Sequence, residues 1–248
     1  MIHYHGGPIT PLEAAVAAWR GRNAMVSYAH PAQIELAAGI CKSVVLDNGA
    51  YSLWKSKTPT DWPSYYEWAR NWLTHPVVDW AVIPDIICGS EADNDYLLSE
   101  WPHRKTHGVP VWHLHESLDR LERLAADYHR IALGSSGEYA DTHSMGWWDR
   151  MNRAMGVVCD SEGRPLVKLH GLRMLARTIV ENFPLSSADA TTIAQCIGKD
   201  TLWTGSHKPQ SKIIRALLMA ENQDTIRSAV VWKPRPLQDL LPLLHMEA

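Results

Sequence analysis

The feature that most constrains this fold is a repeat of pattern rather than of sequence. Short apolar, β-branched runs alternate with longer amphipathic stretches along most of the chain, as in βα units that build a parallel sheet. Strand-like runs fall at residues 2–5, 24–28, 43–46, 77–83, 109–112, 131–133, 166–169 and 185–188. Helical stretches follow at 11–20, 31–38, 60–74, 90–104, 117–129, 144–155, 172–182 and 190–197. In the first, Thr10 is the expected N-cap and Pro11 the first helical residue. Eight such units are what a (β/α)8 TIM barrel requires. An open doubly wound sheet is the alternative, but no Gly-x-Gly-x-x-Gly follows the first strand to mark a dinucleotide site. The expectation is α/β, one domain over 1–248. The barrel takes about 1–198, and a C-terminal helical extension takes 199–248, with a helix at 211–221 and a Pro-bounded tail at 233–248 packed across the barrel.

Composition narrows the class. Of 248 residues 46% are apolar and 21% charged, with a formal net charge of −3. That fits neither a disordered acidic chain nor a basic nucleic-acid coat, so any polyanion must be met by a local patch. No apolar run reaches the roughly 18 residues of a membrane span, and Met1-Ile2-His3-Tyr4 reads as a strand rather than a signal peptide. Cys41, Cys88, Cys159 and Cys196 form no CxxC pair, so a reduced, cytoplasmic protein is expected. Twelve Trp stand against a single Phe. Most are expected in the core, including Trp62, Trp68 and Trp72 on one helix and the adjacent Trp147 and Trp148.

Barrel enzymes carry their chemistry at the C-terminal ends of the strands. Here those ends are polar: His3 and His5; Asp47 running into Asn48-Gly49-Ala50-Tyr51-Ser52; Pro84-Asp85; His113 and His115; Gly134-Ser135-Ser136-Gly137-Glu138; His170-Gly171; and Asp189. A carboxylate directly after an apolar run must be paired, capping a helix or reactive. Asp189 has a competing role as cap of the helix at 190, and Asp85 as a turn residue. Asp47 is harder to explain away, because no helix is expected at Asn48 and Gly49 signals a tight turn.

The histidines offer a second chemistry. His3-Tyr4-His5 puts two imidazoles on one strand face. With His113 or His115, His170 and Asp189, they resemble the metal shell of amidohydrolase barrels, which implies a metal-dependent hydrolase using His3, His5, His170 and Asp189. The end of the sixth strand, Gly134-Ser135, lacks the histidine of that pattern, and no lysine ends the fourth.

The order of the motifs more closely resembles the tRNA-guanine transglycosylase superfamily, in particular its short phage-type members that place 7-deazaguanines in DNA. Asp47-Asn48-Gly49-Ala50-Tyr51-Ser52 is similar to the family's Asp-Ser-Gly-Gly-Tyr/Phe turn, and Val82-Ile83-Pro84-Asp85 falls where it keeps a base-recognising aspartate. Leu133-Gly134-Ser135-Ser136-Gly137-Glu138 resembles its Gly-rich segment ending in Gly-Glu. Leu169-His170-Gly171-Leu172 and Ser186-Ser187-Ala188-Asp189-Ala190-Thr191 resemble its His-x-Gly and Ser-Val-Asp-Ser segments. The resemblance covers roughly residues 2–203. This chain lacks the Cys-x-Cys-x-x-Cys zinc subdomain of the tRNA enzymes, and Trp112-His113-Leu114-His115 stands where the family has a glutamine.

The resemblance implies a base-exchange reaction: guanine in DNA, with tRNA less favoured, is replaced by a 7-deazaguanine such as 7-cyano-7-deazaguanine, with no cofactor or metal. Asp189 would be the nucleophile and Asp47 the general acid/base. Asp85, Gly134, Ser135, His113, His170, Tyr51 and Asn48 would bind the base. A phage-encoded member would act in the host cytoplasm. For the phosphates, Lys208, Lys212 and Arg215 form a candidate nucleic-acid patch, the last two sharing a helical face; a solvated helix face is the competing explanation. A non-catalytic, nucleobase-binding barrel is the third possibility.

Overall fold

A computed structural model describes residues 1–199, 203 and 207–234. Its strands are β1 (Ile2–Gly6), β2 (Asn23–Ser27), β3 (Ser43–Asp47), β4 (Val78–Val82), β5 (Gly108–Val109), β6 (Val111–His113), β7 (Arg130–Gly134), β8 (Lys168–Gly171) and β9 (Ser187–Ala190). The helices are α1 (Leu12–Trp19), α2 (Ile34–Ile40), α3 (Ala50–Ser56), α4 (Trp62–Leu73), α5 (Glu91–Ser99), α6 (Leu118–Asp127), α7 (Met145–Val158), α8 (Arg177–Val180), α9 (Thr192–Cys196) and α10 (Lys212–Asp224). All strand pairs are parallel, in the order β5-β4-β3-β2-β1-β9-β8-β7-β6.

The two ends of that order are one extended segment. Pro110 has no N–H to give a ladder, so it splits the segment into β5, paired with β4, and β6, paired with β7. The Pro110 carbonyl still accepts from Ala132 N at 2.9 Å. The sheet thus comes round on itself as a TIM-barrel-like cylinder wrapped in helices.

Side-chain alternation sorts the strands into two faces. Tyr4, Met25, Val45, Trp80, Val82, Val109, Val111 and Ala132 fill the barrel interior as one cluster. Outward-facing Ala24, Val26, Val44, Leu46 and Ala81 pack with residues of α1, α2, α4 and α10. Trp112, Leu133 and Leu169 do the same with α6 and α7, around the fully buried Trp147. Ser90 starts α5 with a capping box, its hydroxyl accepting from Asp93 N, and Ser117 and Ser144 cap α6 and α7.

Several expected boundaries move. Pro11, not Thr10, occupies the cap position of α1, which makes no side-chain cap bond. Strands β8 and β9 each lie two residues later than expected. Leu166 is 67% exposed, its N–H bonded to Val158 O in a loop, so the apolar run began outside the core. The helix expected at 172–182 shrinks to Arg177–Val180. A helix that the pattern missed, α3, starts immediately after Gly49, whose φ of +79° serves as its left-handed cap. The predicted 211–221 helix extends to Asp224, is capped by Ser211, and lies along α1 and over β1. It forms part of the barrel wall rather than an appendage. Residues 235–248 of the expected tail lie outside the described residues.

Candidate active site

A cleft of about 490 Å3 opens at the C-terminal ends of the strands. Three carboxylates reach it from three strands: Asp47 closes β3, Asp85 follows β4, and Asp189 lies within β9. Each is held differently, and the differences follow from local sequence.

Asp85 is 6% exposed and braced on both oxygens. Oδ1 accepts from Asn48 Nδ2 at 2.7 Å, and Oδ2 meets His113 Nε2 at 2.9 Å. Asn48 is itself locked, donating also to Ile83 O at 2.9 Å and accepting from Ala50 N at 2.8 Å. The turn at 47–50 therefore serves two purposes: Asn48 caps the first turn of α3 and aims Asp85.

Asp189 is 3% exposed, and both of its contacts fall on one oxygen. Oδ1 accepts from Arg173 N at 2.8 Å and lies 3.4 Å from His170 Nε2. Among the described residues Oδ2 has no partner. The expected alternative, a helix cap, fails because α9 starts only at Thr192, beyond the end of β9.

Asp47 is half-buried, and its Oδ2 accepts from Gly49 N at 3.2 Å. Burial, and then the nearby Asp189 and Asp85 carboxylates, push its pKa up to about 6, against the opposing hydrogen bonds of Ser27 and Gly49. A carboxyl poised there gives and takes protons near neutrality.

His170 is completely buried behind Asp189 and does not line the cleft. Its Nδ1 meets Ser187 Oγ at 2.9 Å, and that hydroxyl accepts from Arg130 Nη1 at 3.1 Å. The Ser187 hydroxyl keeps a second lone pair beside the one Arg130 uses, so it can donate to His170 Nδ1 or accept from it. The other ring nitrogen, Nε2, faces Asp189 Oδ1 at 3.4 Å. Burial lowers the His170 pKa despite the carboxylate beside it. His170, expected among the base-binding residues, thus lies behind the cleft rather than on it.

Gly134 also falls outside the cleft. A Cβ there would come within 2.9 Å of His113 Nδ1, so the glycine makes room for the histidine that braces Asp85. Ser135 accepts from Trp147 Nε1 at 2.8 Å and lines an adjoining cleft of about 330 Å3 instead of the main one. Tyr51, on α3, borders both clefts, and Asn48 and His113 line the main one.

The metal shell is not assembled. His3 and His5 share a face of β1, as expected, but it is the outer one. His3 Nε2 meets Ile226 O at 2.9 Å, and His5 Nδ1 and Nε2 meet Gln223 Oε1 and Asp224 Oδ1 at 3.0 and 3.2 Å. Tyr4 between them points inward, so the barrel wall separates this pair from His170 and Asp189. No group of three His, Cys, Asp or Glu among the described residues is placed to hold a metal ion.

The proposed basic patch lies elsewhere too. Arg215 spends its guanidinium on the carbonyls of Pro209, Ile197 and Gln210, which ties α10 to the end of α9. Neither it, Lys208 nor Lys212 lines the main cleft. Cations at the cleft are instead Lys55 and Arg173. Arg173 was hidden in the sequence because 172–182 has helical periodicity; its backbone is left-handed, φ +56°, and its guanidinium carbon lies 3.4 Å from the Tyr51 ring centroid.

The site belongs to the class of α/β barrels with an acidic cleft at the carboxyl ends of the strands. No protein-family model, curated protein or solved structure matches the chain.

Proposed function

We propose that this protein is a base-exchange transglycosylase that replaces guanine in DNA with a 7-deazaguanine. In this reading it is a phage-type member of the guanine transglycosylase superfamily without the zinc subdomain. The observation that carries the proposal is the convergence of Asp47, Asp85 and Asp189 on one cleft, one braced, one with a free oxygen and one with its pKa raised to about 6.

Those three environments match three tasks. Asp189 Oδ2 attacks C1′ of the nucleotide, the C1′–N9 bond breaks, and its electron pair leaves with guanine, which takes a proton from the Asp47 carboxyl. The transition state is oxocarbenium-like, so a nearby anion stabilises it. The incoming 7-deazaguanine gives its ring proton to Asp47, forms the new C1′–N bond and releases the Asp189 carboxylate. Asp85 keeps lone pairs beyond those used by Asn48 and His113, and these accept the ring N–H and amino group of the base. Tyr51 offers an aromatic face at the mouth.

The test is incubation with labelled 7-cyano-7-deazaguanine and guanine-containing DNA or tRNA. Label entering DNA, with a trapped covalent adduct on Asp189 by mass spectrometry, supports the reading. Label entering tRNA alone moves the chain to the tRNA branch, and binding of the base with no label transferred favours a nucleobase-binding barrel.

A further inference from the structure

We propose that Arg173, Tyr51 and Trp54 form a subsite for the phosphate and base of the nucleotide next to the one whose base enters the main cleft. The acceptor is then an unpaired or extruded segment of nucleic acid, not a free nucleoside. The inference rests on the base-exchange reading and extends it to a part of the molecule that reading does not use.

The adjoining 330 Å3 cleft shares Tyr51, Ile87, Leu172 and Arg173 with the main one. A ligand that fills both must pass over these residues. Arg173 stands at that boundary in a conformation that side chains rarely adopt, and its own N–H is bonded to the Asp189 carboxylate at 2.8 Å. Its guanidinium is stacked on Tyr51 and has no acidic partner among the described residues. With one face covered by the ring, the N–H edge remains available, and that edge suits a phosphate. The same residue thus touches the carboxylate assigned to C1′ and offers a cation a side chain's length away, within reach of the phosphate that would link that sugar to the next nucleotide.

Trp54 borders only the second cleft and is 51% exposed. It lies 5.8 Å from Tyr51, centroid to centroid, with the rings tilted by 40°. An uncovered indole beside a stacked arginine is the arrangement on which unpaired bases stack without regard to sequence. The acidic floor repels phosphates, so the strand must be held at this rim, and Lys55 on the same helix adds a second cation.

The test measures binding without any incoming base, by titrating a short single-stranded oligodeoxynucleotide with one central guanine and, separately, deoxyguanosine. Arg173→Gly suits the left-handed backbone and keeps the N–H on Asp189, so the fold is retained; Trp54→Ala changes an exposed side chain and provides an independent check. Each variant is expected to weaken oligonucleotide binding roughly ten- to hundredfold, and Trp54→Ala, which borders only the second cleft, leaves deoxyguanosine affinity within about twofold of wild type. Arg173→Gly also flattens the slope of log affinity against log salt by about 0.7, the share of one phosphate on a single strand. Wild-type affinity for the oligonucleotide in either variant, or an oligonucleotide bound no better than deoxyguanosine by the unaltered protein, overturns the proposal. Tight, Arg173-dependent binding with no exchange in the labelled-base assay would instead sink the base-exchange reading and leave the subsite standing.

Discussion

The two walls of the cleft hold their aspartates by opposite means. On the β4–β6 side, Asp85 is clamped on both oxygens by side chains, Asn48 and His113. On the β8–β9 side, Asp189 is held through Oδ1 alone, by the Arg173 backbone and the more distant His170, with Oδ2 unpartnered among the described residues. A carboxylate with both oxygens fixed is a good template for a planar ligand, because its acceptors are set before the ligand arrives. A carboxylate with a free oxygen can form a bond. On the base-exchange reading, one wall would read the base and the other would react.

The sharpest way to break this contrast is to remove the reactive oxygen. Asp189→Asn keeps the shape and leaves a group that can still face Arg173 N, but an amide does not form the glycosyl ester. Exchange is expected to fall on the order of 10⁴-fold, in kcat rather than in the KM for the base, with no adduct by mass spectrometry. Turnover near wild type would reverse the roles assigned to the walls. Asp85→Asn should produce the other pattern. It pits an amide against the Asn48 amide and His113, and the base loses its acceptor pair, so kcat/KM falls about 10²-fold, chiefly through KM. If instead kcat collapses while the KM for the base is unchanged, Asp85 belongs to the reacting wall.

The contrast between the walls was only half legible in the sequence. The alternation of apolar runs and amphipathic stretches placed all eight barrel units, because burying one face of each strand leaves a pattern that needs no long-range information. It also put Asp47, Asp85 and His113 at strand ends. Burial by distant partners left no such trace. His3 and His5 share a face, but whether that face is inner or outer depended on α10, more than two hundred residues away in the chain. Likewise Leu166 extends an apolar run into a loop, so the pattern puts β8 two residues early and His170 at the mouth. Arg215 looked free for phosphate because its carbonyl partners are backbone atoms, invisible to a reading of side-chain types.

Between the walls, Asp47 tests whether the carboxylates act as a coupled set. Its pKa of about 6, against 3.8 for an ordinary aspartate, means the folded protein holds this proton more tightly than the unfolded chain. Stability therefore falls as pH rises from about 4 to 6, and the penalty is fully present above 6. Asp47→Asn should remove it, raising stability by about 1–3 kcal/mol at pH 8 and by nothing below pH 4, measured by urea unfolding across that range. Exchange should drop at every pH and lose any limb with an apparent pKa near 6. A variant no more stable than wild type at pH 8 would show that burial and the neighbouring carboxylates do not raise the Asp47 pKa.

The smallest effect concerns what stands behind the reacting wall. Arg130, Ser187 and His170 form a buried chain that ends 3.4 Å from Asp189 Oδ1, and the indole of Trp80 packs edge-on against His170 at 4.9 Å between centroids. Because burial lowers the His170 pKa, the unfolded chain takes up the proton first as pH drops below 6.5. Stability present above 6.5 is then lost progressively on acidification, the opposite sign to Asp47. His170→Gln keeps a polar side chain beside Asp189 but cannot titrate, so its unfolding free energy should lose that acid-side slope, with a cost of about 1–2 kcal/mol at pH 8 from imperfect packing. If the chain only supports the carboxylate, exchange falls a few fold with the KM for the base unchanged. A large rise in that KM would place His170 in contact with the base and redraw the boundary between the wall that reacts and the wall that reads.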